Sequence, residues 1–207
     1  IPSSAVAKEF IKACGLPIAA PSANLSSRPS PTTAMHVYED LNGRIPAIID
    51  GGRCEIGIES TVIDASGDGL KLLRVGGISE KQITDVCGEI LQGKAADLKS
   101  GKYRHYAPKC PCKLLDSNDT EYIKREYLKY TGQGKKAALL CYDENAKALC
   151  GLNIISLGKD NISAAATLFN ALRQAESAAD IILIEKPKTG DLESVLIDRI
   201  SKACGNT

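Results

Sequence analysis

The sequence predicts an α/β protein whose second half is a small, doubly wound sheet with helices on both faces. Three observations lead there. The apolar runs Ala137-Ala138-Leu139-Leu140-Cys141-Tyr142 and Ile181-Ile182-Leu183-Ile184 are continuous rather than alternating, the pattern of parallel strands buried on both sides. Stretches of helical periodicity separate such runs from about residue 113 to 203. Aromatic residues make up only 4% of the chain, with no Trp, so Ile, Leu, Val and Ala must build the core, which argues against an all-β sandwich.

In chain order, residues 3–14 read as a helix: Ser3 or Ser4 can cap it, Val6, Phe10, Ile11 and Cys14 keep helical spacing, and Gly15 supplies a left-handed stop. Leu16 to Ala20 reads as a short apolar strand, and Asn24 to Thr33 as a structured loop rich in Ser and Pro. That loop feeds a helix through Met35, Val37 and Leu41, stopped by Gly43. Ala47 to Asp50 reads as a buried strand broken by Gly51-Gly52. Ser60–Asp64 and Leu70–Arg74 form a hairpin about Ser66-Gly67-Asp68-Gly69. Ser79 and Gln82 fit a capping box for a helix ending near Gly88.

From about 92 to 112 periodicity vanishes, as in a linker. Beyond it the expected order is strand 113–115, helix 119–131, strand 137–142, a short helix to Cys150, strand 154–157, helix 162–178, strand 181–185 and helix 191–203. The resulting division is a first unit over 1–90, a linker or lid over 91–112, and a second unit over 113–207.

With 207 residues, 43% hydrophobic and 25% charged, the chain is long enough for two cores. A net charge of +1 gives no global pull toward nucleic acid or anionic lipid, so any polyanion site must be a local gathering of Lys and Arg. No apolar run approaches the ~18 residues of a membrane span, and residues 1–4 lack the features of a signal peptide, which leads to a cytoplasmic expectation. The eight cysteines are scattered through helix and strand patterns, and a reduced state is expected.

Chemistry concentrates in a few short stretches. Pro21-Ser22-Ala23-Asn24-Leu25-Ser26 ends a strand pattern abruptly in hydroxyl and amide groups, the kind of carboxyl edge at which small ligands bind. Ser30-Pro31-Thr32-Thr33 opens a helix whose free N–H groups could meet a phosphate or carboxylate. Gly57 to Val62 puts Glu59 and the hydroxyls of Ser60 and Thr61 at a strand entry. Arg74 precedes Gly76-Gly77, so that a guanidinium and bare backbone could approach a phosphate together. Taken singly, plain turns and caps explain the first two as readily. His36 reads as a half-buried or surface histidine, and His105, among basic residues, is the better functional candidate. Cys110-Pro111-Cys112 cannot by itself fill a structural zinc site, and no Walker A, GxGxxG or GxSxG pattern is present.

As an ordered series, Pro21–Ser26, Ser30–Thr32, Asp50–Gly52, Gly57–Val62, Leu73–Gly76 and Tyr103-Arg104-His105-Tyr106-Ala107-Pro108 resemble the threonylcarbamoyl-AMP synthase family. The resemblance is to the long form, in which a YrdC-like twisted-sheet α/β domain is followed by a linker and a small Rossmann-like doubly wound domain. It is carried mainly by residues 1–108; Gly190–Val195 and Asp198–Ala203 match the second domain in part. The family makes threonylcarbamoyl-adenylate and pyrophosphate from L-threonine, bicarbonate and ATP, the first step of t6A modification of tRNA. The resemblance implies that Ser22 and Ser60 bind L-threonine and that Asn24, Ser30, Thr32 and Arg74 contact ATP. It further implies that His105 and Tyr106 cover the nucleotide from the linker, and that Mg2+ bridges the phosphates. No residue is assigned as nucleophile, acid or base.

The resemblance also brings the t6A transfer machinery as a partner. Ile1 stands where translation would place Met, and the family's earlier Lys/Arg-rich motif has no counterpart. The chain is therefore expected to be the C-terminal portion, inactive alone, with exposed sheet edges that pair with another copy or with the remainder. The competing reading is an RNA-binding or regulatory YrdC-like module without catalysis, with tRNA or double-stranded RNA as its partner. It rests on Lys94, Lys99, Lys102, Arg104 and Lys109 interleaved with tyrosines.

Overall fold

The structure, a computed structural model, describes residues 2–93 and 106–205. His105 and the basic linker positions Lys94, Lys99, Lys102 and Arg104 lie outside the described residues.

Helix α1 (Ala5–Cys14) begins where the Ser4 hydroxyl accepts the Ala7 N–H at 3.3 Å and ends at Gly15, whose φ of 65° only glycine adopts without strain. Helix α2 (Ala34–Leu41) is capped by Thr33, which accepts the His36 N–H. Strands β1 (Val62–Asp64) and β2 (Lys71–Arg74) form the expected antiparallel hairpin, its turn tied by Asp64 to the amide and hydroxyl of Ser66. Ser79 and Gln82 form the capping box of α3 (Glu80–Cys87).

Three expectations fail here. Leu16–Ala20 and Ala47–Asp50 are not strands, and Leu16 and Ile49 are 69% and 59% exposed. An apolar run becomes a strand only where a neighbour takes its backbone groups, and neither segment has such a neighbour among the described residues. Conversely, β3 (Leu91–Gln92) sits inside the stretch read as linker and pairs in parallel with β2. Its register is set by contacts distant in sequence, and a two-residue strand carries no periodicity of its own. The first sheet, in order β1-β2-β3, buries a small cluster of Leu72, Ile83 and Ile90.

The second unit follows the expected order closely: β4 (Cys112–Leu114), α4 (Thr120–Thr131), β5 (Ala137–Cys141), α5 (Asp143–Ala148), β6 (Ile154–Ser156), α6 (Asn161–Glu176), β7 (Ile181–Ile184) and α7 (Glu193–Cys204). Its four strands are all parallel, in order β4-β7-β5-β6. Ala138 and Leu140 of β5 and Ile182 and Ile184 of β7 face one core with Phe169 and Leu172 of α6 and Leu196 and Ile200 of α7. Ala137, Leu139, Cys141, Ile181 and Leu183 face the other with Ile123 and Tyr127 of α4. Both strand faces are thus spent on helices, and this is why the runs are continuous.

The strand order reverses between β5 and β7, the crevice where doubly wound sheets place ligands. Here its polar groups are used internally. Glu185 accepts from the Tyr142 amide and the Asn145 side chain, both at 2.8 Å, while Asn161 takes the Tyr142 hydroxyl and donates to the carbonyls of Lys188 and Asp191. All eight cysteines are free thiols, as expected.

The first unit docks on α6 and α7. Ile58, Val75 and Tyr106 join the second unit's core, with the Tyr106 ring stacked on Phe169 at 5.1 Å. Gly57 is required at this seam, because a Cβ there would lie 2.3 Å from the Ala166 carbonyl oxygen.

Candidate functional site

A cavity of about 1070 Å³ opens between the loop at 20–32, the approach to β1 at 54–60, the end of β2, Tyr106 and α7. Ser22, Asn24, Ser30, Thr32, Ser60, Arg74 and Tyr106, singled out by motif, all line it. His105 lies outside the described residues.

Asn24 shapes the first wall. Its side-chain amide donates to the carbonyls of Leu25 at 2.8 Å and Arg28 at 3.2 Å, which closes the turn. Two carbonyl acceptors can be served only by the NH2 end, so the network fixes the amide's orientation. Oδ1 is then buried without a hydrogen-bond partner, the one such side-chain atom among the described residues. An unsatisfied buried acceptor costs on the order of 1–3 kcal/mol.

Thr32, 2% exposed, leads into α2. Its amide donates to Nδ1 of His36 at 3.2 Å, so the ring nitrogen must be an acceptor. Burial, then the nearby Arg173 charge, lowers the His36 pKa from the ordinary 6.5 and favours that neutral form. The histidine is therefore buried, at 8% exposure, rather than half-buried or on the surface, and it braces the loop. The free N–H groups expected to meet a ligand at this helix start are partly spent, because the Thr33 hydroxyl caps the helix.

The opposite wall hangs on Thr61. Its hydroxyl donates to the Ile78 carbonyl and accepts from the amides of Gly76 and Ile78, clasping 59–62 to 76–78. Gly76 and Gly77 serve this packing rather than offering bare backbone to a phosphate. A Cβ on Gly76 would lie 2.2 Å from the Glu59 carbonyl oxygen, and one on Gly77 would lie 2.3 Å from the Ile56 side chain. Arg74 is oriented by the Ser60 carbonyl, which accepts from Nε at 3.2 Å and Nη2 at 3.0 Å.

Arg28 escaped the sequence reading because its partner lies 148 positions away, whereas Glu59 and Tyr106 sit in motif stretches whose cross-unit partners the sequence does not show. Arg28 is held bidentately by Glu176 of α6. Glu59 accepts the Ser30 hydroxyl at 3.5 Å and Nε of Arg199, from α7, at 2.9 Å. Tyr106 lies against Glu59 and Arg199 with a left-handed φ of 63°, and burial, then the Glu59 charge, pushes its phenol up to about 12. Lys202 of α7, paired to Asp198 at 2.8 Å, completes the lining. Glu59 and Arg28 are neutralised in ion pairs and Lys202 is paired with Asp198, so among the described residues Arg74 is the lining cation without a carboxylate partner.

Glu59 is the only carboxylate among the described lining residues, and no group of three or more His, Cys, Asp or Glu side chains that could hold a metal ion occurs among the described residues. Nor is any helix among them long and apolar enough to cross a membrane.

Fold and cavity together define a two-unit α/β protein with a polar, hydroxyl-lined site closed on one side by its second unit. Residues 78–205 match the family described as "Threonylcarbamoyl-AMP synthase, C-terminal domain", and residues 1–76 match the family described as "Telomere recombination". Threonylcarbamoyl-AMP synthases of Bacillus subtilis and Pyrococcus abyssi are each 38% identical over 99% of this chain, covering 62% and 63% of the relatives. The crystal structure of P. abyssi Sua5 complexed with L-threonine superposes with a TM-score of 0.82 at 36% identity, over 100% of this chain and 63% of that one. The chain belongs to the threonylcarbamoyl-AMP synthase family. The likeness runs through the second unit as well as the first, and the chain spans about 62% of the length of the bacterial relative.

Proposed function

We propose that the cavity is a site at which L-threonine, bicarbonate and ATP are brought together to form threonylcarbamoyl-AMP and pyrophosphate. In this reading Ser22 and Ser60 receive L-threonine. Asn24, Ser30, Thr32, Arg74 and Tyr106 contact the nucleotide, and the neighbouring His105 joins Tyr106 as a cover. The reaction needs little covalent help from the protein. The L-threonine amine and bicarbonate condense to a carbamate with loss of water. A carbamate oxygen then bonds to the α-phosphorus of ATP as the bond from that phosphorus to the β-phosphate's bridging oxygen breaks and pyrophosphate leaves. The chain's work is to align the reactants and to balance negative charge. Arg74 and Lys202 supply positive charge, and the hydroxyls and Asn24 supply orientation.

The residues present do not form a protein-held magnesium site, since the lining carboxylate, Glu59, is taken by Arg199. Any Mg2+ would arrive on the nucleotide's phosphates, and no step is derived through it. The product, a mixed carboxylic–phosphoric anhydride, calls for a transfer step onto tRNA by separate machinery.

The observation that carries the reading is that the motif residues of two distant segments, 22–32 and 59–74, meet on one cavity. Calorimetric titration of ATP, with and without L-threonine and bicarbonate, tests it. ATP should bind to the chain, more tightly with L-threonine present, and Arg74→Gln should remove most of that affinity. Absence of ATP binding under every condition would retire the reading.

A further inference from the structure

We propose that Arg173, on α6 of the second unit, is a positioning residue for the ligand loop between Asn24 and Thr32. This inference rests on reading the cavity as the nucleotide and L-threonine site. The Arg173 side chain is 2% exposed, and its guanidinium reaches across the seam between the two units. Nη1 donates to Oδ1 of Asp40 at 3.1 Å and Nη2 to Oδ2 at 2.7 Å, a paired fork that a lysine cannot reproduce. The same guanidinium donates to the Pro29 carbonyl, from Nε at 3.2 Å and Nη2 at 2.5 Å. Asp40 in turn accepts the Leu25 amide at 3.3 Å.

One buried cation thus fixes both ends of the loop, Pro29 directly and Leu25 through Asp40. Between these anchors the Asn24 amide closes on the Leu25 and Arg28 carbonyls, and Arg28 is pinned by Glu176, three residues beyond Arg173 on the same helix. The orientation of Asn24 Oδ1 and the placement of Ser30 and Thr32 therefore depend on α6. A buried ion pair is a weak source of stability compared with apolar packing, and its best-attested use is to select one arrangement over others. What this pair selects is the shape of the cavity wall.

The test compares wild type with Arg173→Gln, Arg173→Lys, Asp40→Asn and Leu196→Ala. Leu196 lies on α7 and is buried in the second unit's core, so its truncation reports what loss of stability alone does. For each variant the thermal midpoint is measured, and ATP and L-threonine dissociation constants are then taken by calorimetry well below it. Arg173→Gln is expected to weaken ATP about tenfold or more while folded. Arg173→Lys should recover part of that, and Asp40→Asn should resemble the glutamine variant. Leu196→Ala should lower the midpoint and leave affinity unchanged.

Wild-type affinity in folded Arg173→Gln would overturn the inference while leaving the cavity's assignment intact. If Arg173→Gln does not fold, wild-type affinity in both Arg173→Lys and Asp40→Asn overturns it equally. Failure of the wild-type chain to bind either ligand would overturn the reading of the cavity, and this inference with it.

Discussion

Asn24 spends both amide hydrogens on carbonyls of its own loop and leaves a buried oxygen with nothing to accept. Replacement by Asp keeps the size but sets an acceptor-only group against two carbonyls, so Asn24→Asp should bind ATP worse than Asn24→Ala, measured by calorimetry. Among the described residues, Arg74 is held by the Ser60 carbonyl. Arg74→Gln should raise the ATP dissociation constant about tenfold or more, roughly 1.4 kcal/mol, while moving stability within about 0.5 kcal/mol. His36 makes the loop sensitive to pH. Its pKa is lowered by burial, then by Arg173, against opposing pulls from Glu39 and Asp40, with Arg53 adding to the lowering. A lowered base favours the neutral ring, so its contribution is fully present above the ordinary 6.5 and is lost as pH falls through the lower folded value. Protonation would orphan the Thr32 amide. ATP affinity should therefore decline as pH falls through this lowered folded value, beneath the ordinary 6.5, and an NMR titration of the His36 ring should track the decline.

At the scale of elements, the second unit was almost wholly legible, because each of its strands is short, apolar and bounded by helix signals such as Asp119 and Gly132 around α4. The first unit was legible at its hairpin and caps and opaque elsewhere. Leu16–Ala20 and Ala47–Asp50 carry strand composition without a strand partner, and β3 has a partner without a pattern. Site residues divide the same way. Ser22, Asn24, Thr32, Ser60 and Arg74 sit in recognisable short motifs and Arg199 in a stretch matched in part, whereas Arg173 and Glu176 read as ordinary helix surface until their partners over a hundred residues away are known. Gly57 tests the seam between hairpin approach and α6. Gly57→Ala forces a Cβ within 2.3 Å of the Ala166 carbonyl oxygen, and urea unfolding should show a loss of about 1–3 kcal/mol.

Across the whole molecule, the two units are joined by ion pairs: Arg28 with Glu176 and Arg199 with Glu59 reach the cavity lining, and Arg173 with Asp40 holds the loop behind it. Burial pushes the Asp40 carboxyl up, but hydrogen bonds and charge from Arg173, the Leu25 amide and Arg28 outweigh it and hold the group below its ordinary 3.8. Such a carboxylate stabilises the fold above 3.8, and that stabilisation is lost as pH falls through the lower folded value. Acid should loosen the seam there, and the Asp40→Asn variant should lose much of this acid dependence in a pH series of unfolding curves.

Lys202 adds a cation from the second unit to the cavity. Lys202→Gln should weaken ATP several-fold and flatten the dependence of its binding on salt, an effect that the same change at the exposed Lys81 should not reproduce. The most direct measurement is a crystal structure of the chain soaked with L-threonine and a non-hydrolysable ATP analogue. Both ligands should lie in the cavity between Asn24, Ser60, Arg74 and Tyr106. Ligand density confined to other surfaces, or a cavity left empty at saturating concentrations, would contradict it.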